Sequence, residues 1–216
     1  MNKRILVLSI SVLLVAAFAV AAFFQFNSTS PEPQATAEKP EQNLLVREHS
    51  PTFGPDDAPV TIMEFFDPSC EACRAFYPFV KQILGEHQND VRLVIRYALF
   101  HRGSEEVARM LEAAREQDLY QPVLEAVLMT QPDWHDDPAV LAAWEAAATA
   151  GLDIEQARKD MHSPELDTVL QTDMADIKAL GVRGTPTFFV NGKPLPSFGS
   201  DQLLQLVRSE LAQAKE

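Results

Sequence analysis

The two cysteines of this 216-residue chain stand three residues apart, in Cys70-Glu71-Ala72-Cys73. No other feature narrows the choice of fold as much. A bridge between them closes a loop of only two residues, restrains almost no chain entropy and makes a poor staple. The chain must therefore fold around an ordinary apolar core. With 46% hydrophobic and 23% charged residues it has the means. That composition excludes a disordered chain, a collagen-like fibre and a polytopic membrane protein. Zinc needs three or four ligands, and the five scattered histidines offer no second CxxC and no paired-histidine spacing. Redox chemistry is the use that fits the pair.

Local context supports that use. Val60 to Phe66 is an apolar run set off by Pro59 and by Asp67-Pro68, which predicts a strand. A helix comes next, from about Cys70 to Glu86, with Phe76, Phe79, Val80 and Ile83 on one side and Pro78 inside it. Cys70 then falls at a helix N-terminus, where free N–H groups and the macrodipole stabilise a thiolate and make it nucleophilic near neutral pH. Cys73, one turn further in, is expected to be buried and to act as the resolving thiol. Val91 to Leu99 reads as the next strand, and strand–helix–strand without a tight turn implies a parallel βαβ unit.

Outside this centre the chain divides simply. Lys3 and Arg4 precede an apolar run from 5 to 24 interrupted only by Ser9 and Ser11. Twenty such residues are long enough to span a bilayer, and the basic pair places the chain after residue 26 outside the cytoplasm. We expect a signal-anchor over 1–26, or an exported soluble protein if that segment is cleaved. Residues 27–43 read as a Pro-, Ser- and Gln-rich linker, too short for a dimerisation domain, which suggests a monomer. From 44 to 216 one domain is expected. It has an edge strand at Leu44–Val46 and helices over about 103–180 that start at Ser104, near Pro122, at Asp137-Pro138, Asp153 and Ser163-Pro164. Strand Thr187–Val190, an Asn191-Gly192 hairpin turn and a last helix capped by Ser200 complete it. The net charge of −13 argues against nucleic acid as a partner.

Two further places bear on the site. Glu64 interrupts the apolar strand six residues before Cys70. It either faces solvent at an edge or points beneath the cysteine helix, where a desolvated carboxyl could exchange a proton with Cys73. Gly181-Val182-Arg183-Gly184-Thr185-Pro186 precedes the late strand. A trans Thr185–Pro186 bond is the ordinary state, whereas a cis bond would leave Thr185 backbone groups free to pair with an extended peptide.

The run Glu64-Phe65-Phe66-Asp67-Pro68-Ser69-Cys70-Glu71-Ala72-Cys73, with Gly184-Thr185-Pro186-Thr187-Phe188-Phe189-Val190-Asn191-Gly192 more than a hundred residues later, resembles the DsbA-type thiol–disulfide oxidoreductases over about 44–214. The resemblance implies an α/β thioredoxin fold with an inserted helical domain. It also implies an exposed nucleophilic Cys70, a resolving Cys73, a buried Glu64 and a cis-proline loop at Thr185-Pro186 that binds substrate. Glu71-Ala72 would tune the potential. These residues stand where the strong oxidases of that family carry Pro-His, and Thr185 stands where they carry Val. Like-charge repulsion from Glu71 opposes the Cys70 thiolate and predicts a less oxidising couple. The expected protein is thus an extracytoplasmic thiol–disulfide oxidoreductase of the bacterial inner membrane with its catalytic domain in the periplasm. It needs no cofactor and no metal. Its partners are exported cysteine-containing proteins and a membrane redox protein that resets the pair, and the direction of electron flow is open. The rival readings are a Cu(I) chaperone that uses the two thiolates and a tethered binding domain that lost its role.

Overall fold

The computed structural model describes residues 42–215. The segments read as anchor and most of the linker lie outside the described residues. Among the described residues no helix is long and apolar enough to cross a membrane.

The elements run in the order α1 (Gln42–Leu45), β1 (Thr52–Phe53), β2 (Val60–Phe66), α2 (Glu71–Glu86), β3 (Val91–Tyr97), α3 (Ser104–Arg115), α4 (Tyr120–Met129), α5 (Gln131–Trp134), α6 (Leu141–Thr149), α7 (Ile154–Asp160), α8 (Pro164–Ala179), β4 (Thr187–Val190), β5 (Lys193–Pro194) and α9 (Ser200–Gln213). They build the α/β thioredoxin-like fold with helices inserted between β3 and β4. The sheet order is β1-β3-β2-β4-β5. β2 and β3 are parallel, joined by α2, and the other pairs are antiparallel.

Both central strands are buried on both faces, so each reads as a nearly unbroken apolar run. One face carries Ile62, Phe66, Leu93, Ile95 and Tyr97. It packs with Cys73, Val80 and Ile83 of α2, Leu203 and Val207 of α9, and the inserted helices. The other carries Met63, Phe65, Val94 and Phe189, covered by Leu45 and by Ile177 of α8. Glu64 lies between Ile62 and Phe66, so strand alternation puts it on the α2 face. It is paired in register with Ile95 and Phe188 in the middle of the sheet, which removes the edge alternative.

Several local expectations are corrected. Leu44–Val46 is not a strand: residues 42–45 form a helical turn, and Thr52–Phe53 supplies the edge strand. Arg96 on β3 donates to the carbonyls of Leu44 and Leu45, using groups that strand pairing would have needed. Ser104 opens α3 as its first residue rather than its cap, because its hydroxyl is turned to Asp67. Gly103 is the cap, with φ +72; a Cβ there would also lie 2.5 Å from Val140 Cγ1. Asp137-Pro138 forms a turn in which Asp137 accepts from the N–H groups of Ala139 and Leu141, so the helix starts only at Leu141. Ser200 is likewise the first helical residue, after Gly199. The C-terminus of α8 closes on Gly181 (φ +66), with Val182 N–H bonded to Ile177 and Gly181 N–H to Lys178. That closure aims the chain toward the Thr185-Pro186 loop.

Candidate active site

β2 ends under the N-terminus of α2, and the turn 67–70 places Cys70 as the N-cap of that helix. Its N–H donates to the Asp67 carbonyl at 3.0 Å, and no side chain caps the helix. The first-turn N–H groups therefore remain directed at the Cys70 sulfur. Hydrogen bonding from Cys73 pulls the Cys70 thiol down to about 5, against burial, with help from the Thr185 side chain and the N–H groups of Cys73 and Ala72. Cys70 Sγ also donates to the Thr185 carbonyl at 3.3 Å. The Thr185 hydroxyl itself is buried without a partner among the described residues, free to donate to a thiolate. Cys70 is only 6% exposed, which corrects the expectation of an exposed nucleophile: the Thr185 loop sits against it. The Thr185–Pro186 bond is cis.

Cys73 is completely buried and accepts the Asp67 N–H at 3.4 Å. Burial, its bond to Cys70 and the charges of Glu64 and Cys70 push its thiol far up. The arrangement makes two unequal sulfurs, one predisposed to carry charge and one predisposed to keep its proton.

Glu64 is 3% exposed, and burial, with the Cys70 charge second, pushes its carboxyl up to about 8. A raised carboxyl pKa favours folding below the unfolded value and withdraws that contribution as pH rises through the folded value. On the disulfide form, where Cys70 carries no charge and burial alone raises the carboxyl, stability is expected to fall as pH rises above about 5. The slope should approach ~1.4 kcal/mol per pH unit. Glu64→Gln should flatten it, and urea unfolding at pH 5, 6.5 and 8 measures it. An equal slope in both proteins would show that Glu64 ionises as it would in water.

Glu71 and Ala72 lie between the sulfurs. The Glu71 side chain is 69% exposed, with His135 Nε2 3.7 Å away. In water-like surroundings its repulsion of Cys70 is weak, and the Cys70 thiol is depressed despite it.

Three residues that the sequence did not single out complete the centre. Asp67, fully buried, accepts from Ser69 N–H, Phe100 N–H, His101 N–H, the Ser104 hydroxyl and His101 Nδ1. Gln131 at the start of α5 donates to the carbonyls of Pro68 and Cys70, and its own carbonyl accepts from Arg74 Nε. The cysteine turn is thus held from the sheet side by Asp67 and from the insertion side by Gln131. Asp67 had a partial sequence signal as the residue that ends β2. Gln131 and His101 had none, because their partners are 61 and 34 positions away.

Two clefts border this centre. The larger, about 730 Å³, is polar and lined by His101, Glu105, Glu106, Arg109 and Asp167. The smaller, about 480 Å³, is mainly apolar and runs along Ala72, Thr185, Pro186, Leu195 and Phe198. Phe198, 58% exposed, stacks on Phe76 at 4.5 Å. The second cleft suits an extended peptide: it is apolar, and Thr185 beside it touches Cys70. No cluster of three or more His, Cys, Asp or Glu side chains able to hold a metal ion occurs among the described residues.

Comparison with known proteins agrees with this geometry. Residues 47–208 match the thioredoxin family named Thioredoxin_4. The chain is 29% identical over 170 residues to "Probable disulfide bond formation protein D" of Bacillus anthracis, covering 74% of this chain and 77% of that one. It is 32% identical over 142 residues to the Na(+)/H(+) antiporter NhaA of Herminiimonas arsenicoxydans, but this match spans 66% of the chain and only 22% of the antiporter. Among solved structures, a thioredoxin-like oxidoreductase from Silicibacter pomeroyi superposes with a TM-score of 0.68 at 30% identity, over 80% of this chain and 98% of that one.

Proposed function

The chain belongs to the thioredoxin family and is a thiol–disulfide oxidoreductase, and on that premise we propose that it works in the DsbA manner, as an oxidant of cysteine pairs in exported proteins. What supports the direction is the place of Cys70 at the uncapped N-terminus of α2, where Cys73 and the first-turn N–H groups pull its thiol down to about 5. A stabilised thiolate favours the reduced form of the pair, which makes its disulfide a stronger oxidant. This outweighs the repulsion from Glu71 that favoured a weaker one.

In the forward cycle a substrate thiolate attacks Cys70 of the Cys70–Cys73 disulfide. A mixed disulfide forms on Cys70, and Cys73 leaves with the electron pair. Glu64, protonated near neutral pH, gives Cys73 its proton. The second substrate thiolate attacks the substrate sulfur of the mixed disulfide, and Cys70 leaves as thiolate. The substrate has lost two electrons and the pair has gained them, so a second protein must reoxidise it. The apolar run over 5–24 supports placing the domain outside the cytoplasm, with that reoxidising partner in the membrane. The apolar cleft at Thr185, Pro186 and Phe198 supports binding of an extended, partly unfolded chain.

Equilibration against glutathione tests the direction. The potential is expected near −180 mV, roughly midway between the strong oxidants and the thioredoxin-type reductants. A value at or below about −250 mV, in the thioredoxin range, would make the protein a reductant and end the oxidant reading.

A further inference from the structure

Asp67 poses an electrostatic problem. It is a fully buried carboxylate, its N–H is bonded to Cys73 Sγ, and its carbonyl is bonded to the Cys70 N–H. Its charge opposes a thiolate in the same turn, and a buried charge is costly without a counter-charge. One imidazole meets it: Nδ1 of His101 lies 2.7 Å from Asp67 Oδ2. The peptide N–H of His101 reaches the same oxygen at 3.2 Å, which fixes the loop as well as the ring. The imidazole is half exposed, at 49%.

We propose that His101, fixed by Asp67, is the cation that stabilises the Cys70 thiolate, acting from the loop after β3 rather than from between the cysteines. This rests on the reading of Cys70 and Cys73 as a redox couple. His101 is a positioning residue, since it acts on the sulfur through Asp67 and through space.

The surroundings favour the charged ring. The charges of Cys70, the N-cap of α2, and of Glu71 in its first turn favour the protonated ring. From α3, Glu105, Glu106 and Arg109 line the same cleft, with Asp167 of α8 and His162 just before it. Arg109 is engaged by Glu105 and Asp167, so its charge is largely spent there. Burial opposes protonation of His101, but the hydrogen bond and charge of Asp67, then the charges of Cys70 and Glu71, leave its pKa raised. The coupling is reciprocal: if the thiolate holds the proton on His101, the imidazolium holds the charge on Cys70 by the same amount.

The test compares His101→Gln, which can still donate to Asp67 but carries no charge, with His101→Lys, which keeps the charge. Each is made in the full chain, and urea unfolding of each variant checks that the buried Asp67 is still accommodated. The ultraviolet absorbance of the Cys70 thiolate is titrated with pH, and the equilibrium constant against glutathione is measured. In His101→Gln the titration midpoint should rise by about half a unit or more. The equilibrium should then shift roughly threefold or more toward the protein disulfide. His101→Lys should stay with the parent. An unmoved midpoint in His101→Gln, or equal shifts in both variants, overturns the proposal. A parent that shows no redox exchange would instead overturn the oxidoreductase reading, because the titration scores His101 separately.

Discussion

Arg96→Met is expected to cost about 3–5 kcal/mol of folding stability, the range for removing one partner of a buried ion network. Arg96 is fully buried on β3, with Nε 2.7 Å from Asp173 Oδ1 and an Nη 2.6 Å from Asp176 Oδ2. A second Nη bonds the Leu44 carbonyl at 2.8 Å. One guanidinium therefore ties β3, α8 and α1 together. Methionine fills much of the volume, so the loss is electrostatic: the two buried carboxylates would keep Arg47, His49 and the Tyr97 N–H but lose the one fully buried charge between them. For a domain of this size the melting temperature should fall by ~10 °C. Acid sharpens the test. In the parent, burial would raise the Asp176 carboxyl, but the hydrogen bonds and charges of Arg47 and Arg96 win and hold it below the usual range. Its contribution is present above the unfolded value and disappears as pH falls through the folded one. In the variant the unpaired carboxylates are relieved by protonation. The gap between the two proteins should therefore be widest near pH 7 and narrow below about pH 5. Urea unfolding at both pH values reads this, and a gap independent of pH would assign the effect to packing.

That network also marks what the sequence conceals. β2, β4, the cysteine helix and the Asn191-Gly192 turn were legible, because each is set by local chemistry: proline boundaries, apolar runs, a helix start and a pair of positive φ angles. Cys70, Cys73, Glu64 and Thr185-Pro186 stand out in the sequence by residue type and spacing, and the structure brings them to one place. Residues whose role depends on distant partners were not legible. Leu44–Val46 is three apolar residues, too few to separate a strand from a helical turn, and Arg96 decided the outcome from another element. Asp173 and Asp176 interrupt α8 like ordinary solvent-facing acids, yet both are buried. Ser104 looked like a cap until Asp67 took its hydroxyl. Glu71 looked decisive by adjacency, although its side chain points to water. His101, 31 positions from Cys70, gave no local sign at all.

Loss of Cys73 should stop turnover while leaving the Cys70 thiolate able to form a mixed disulfide with an added disulfide. The two sulfurs divide the reoxidation of the pair: Cys70 takes the mixed disulfide from the oxidant, and Cys73, completely buried behind it, displaces that adduct and closes the Cys70–Cys73 bond that substrate then attacks. An intramolecular thiol acts at an effective concentration no solution thiol matches, so Cys73→Ala and Cys73→Ser should both slow dithiol oxidation on the order of 10³-fold or more. Given glutathione disulfide, each variant should accumulate one stable glutathione adduct on Cys70, while Cys70→Ala should form none. The two variants should differ in pH dependence. The bond from Cys73 is the largest cause of the low Cys70 thiol pKa. Serine keeps a donor there and alanine does not, so adduct formation should persist to lower pH in Cys73→Ser. The rate tracks the thiolate fraction and falls as pH drops through the Cys70 value, about 5 in the parent. Mass spectrometry of the adduct against time and pH reads both effects. Adducts on Cys73 in Cys70→Ala, or adducts on Cys70 that clear as fast as in the parent, would reverse the assignment of attacking and resolving thiols.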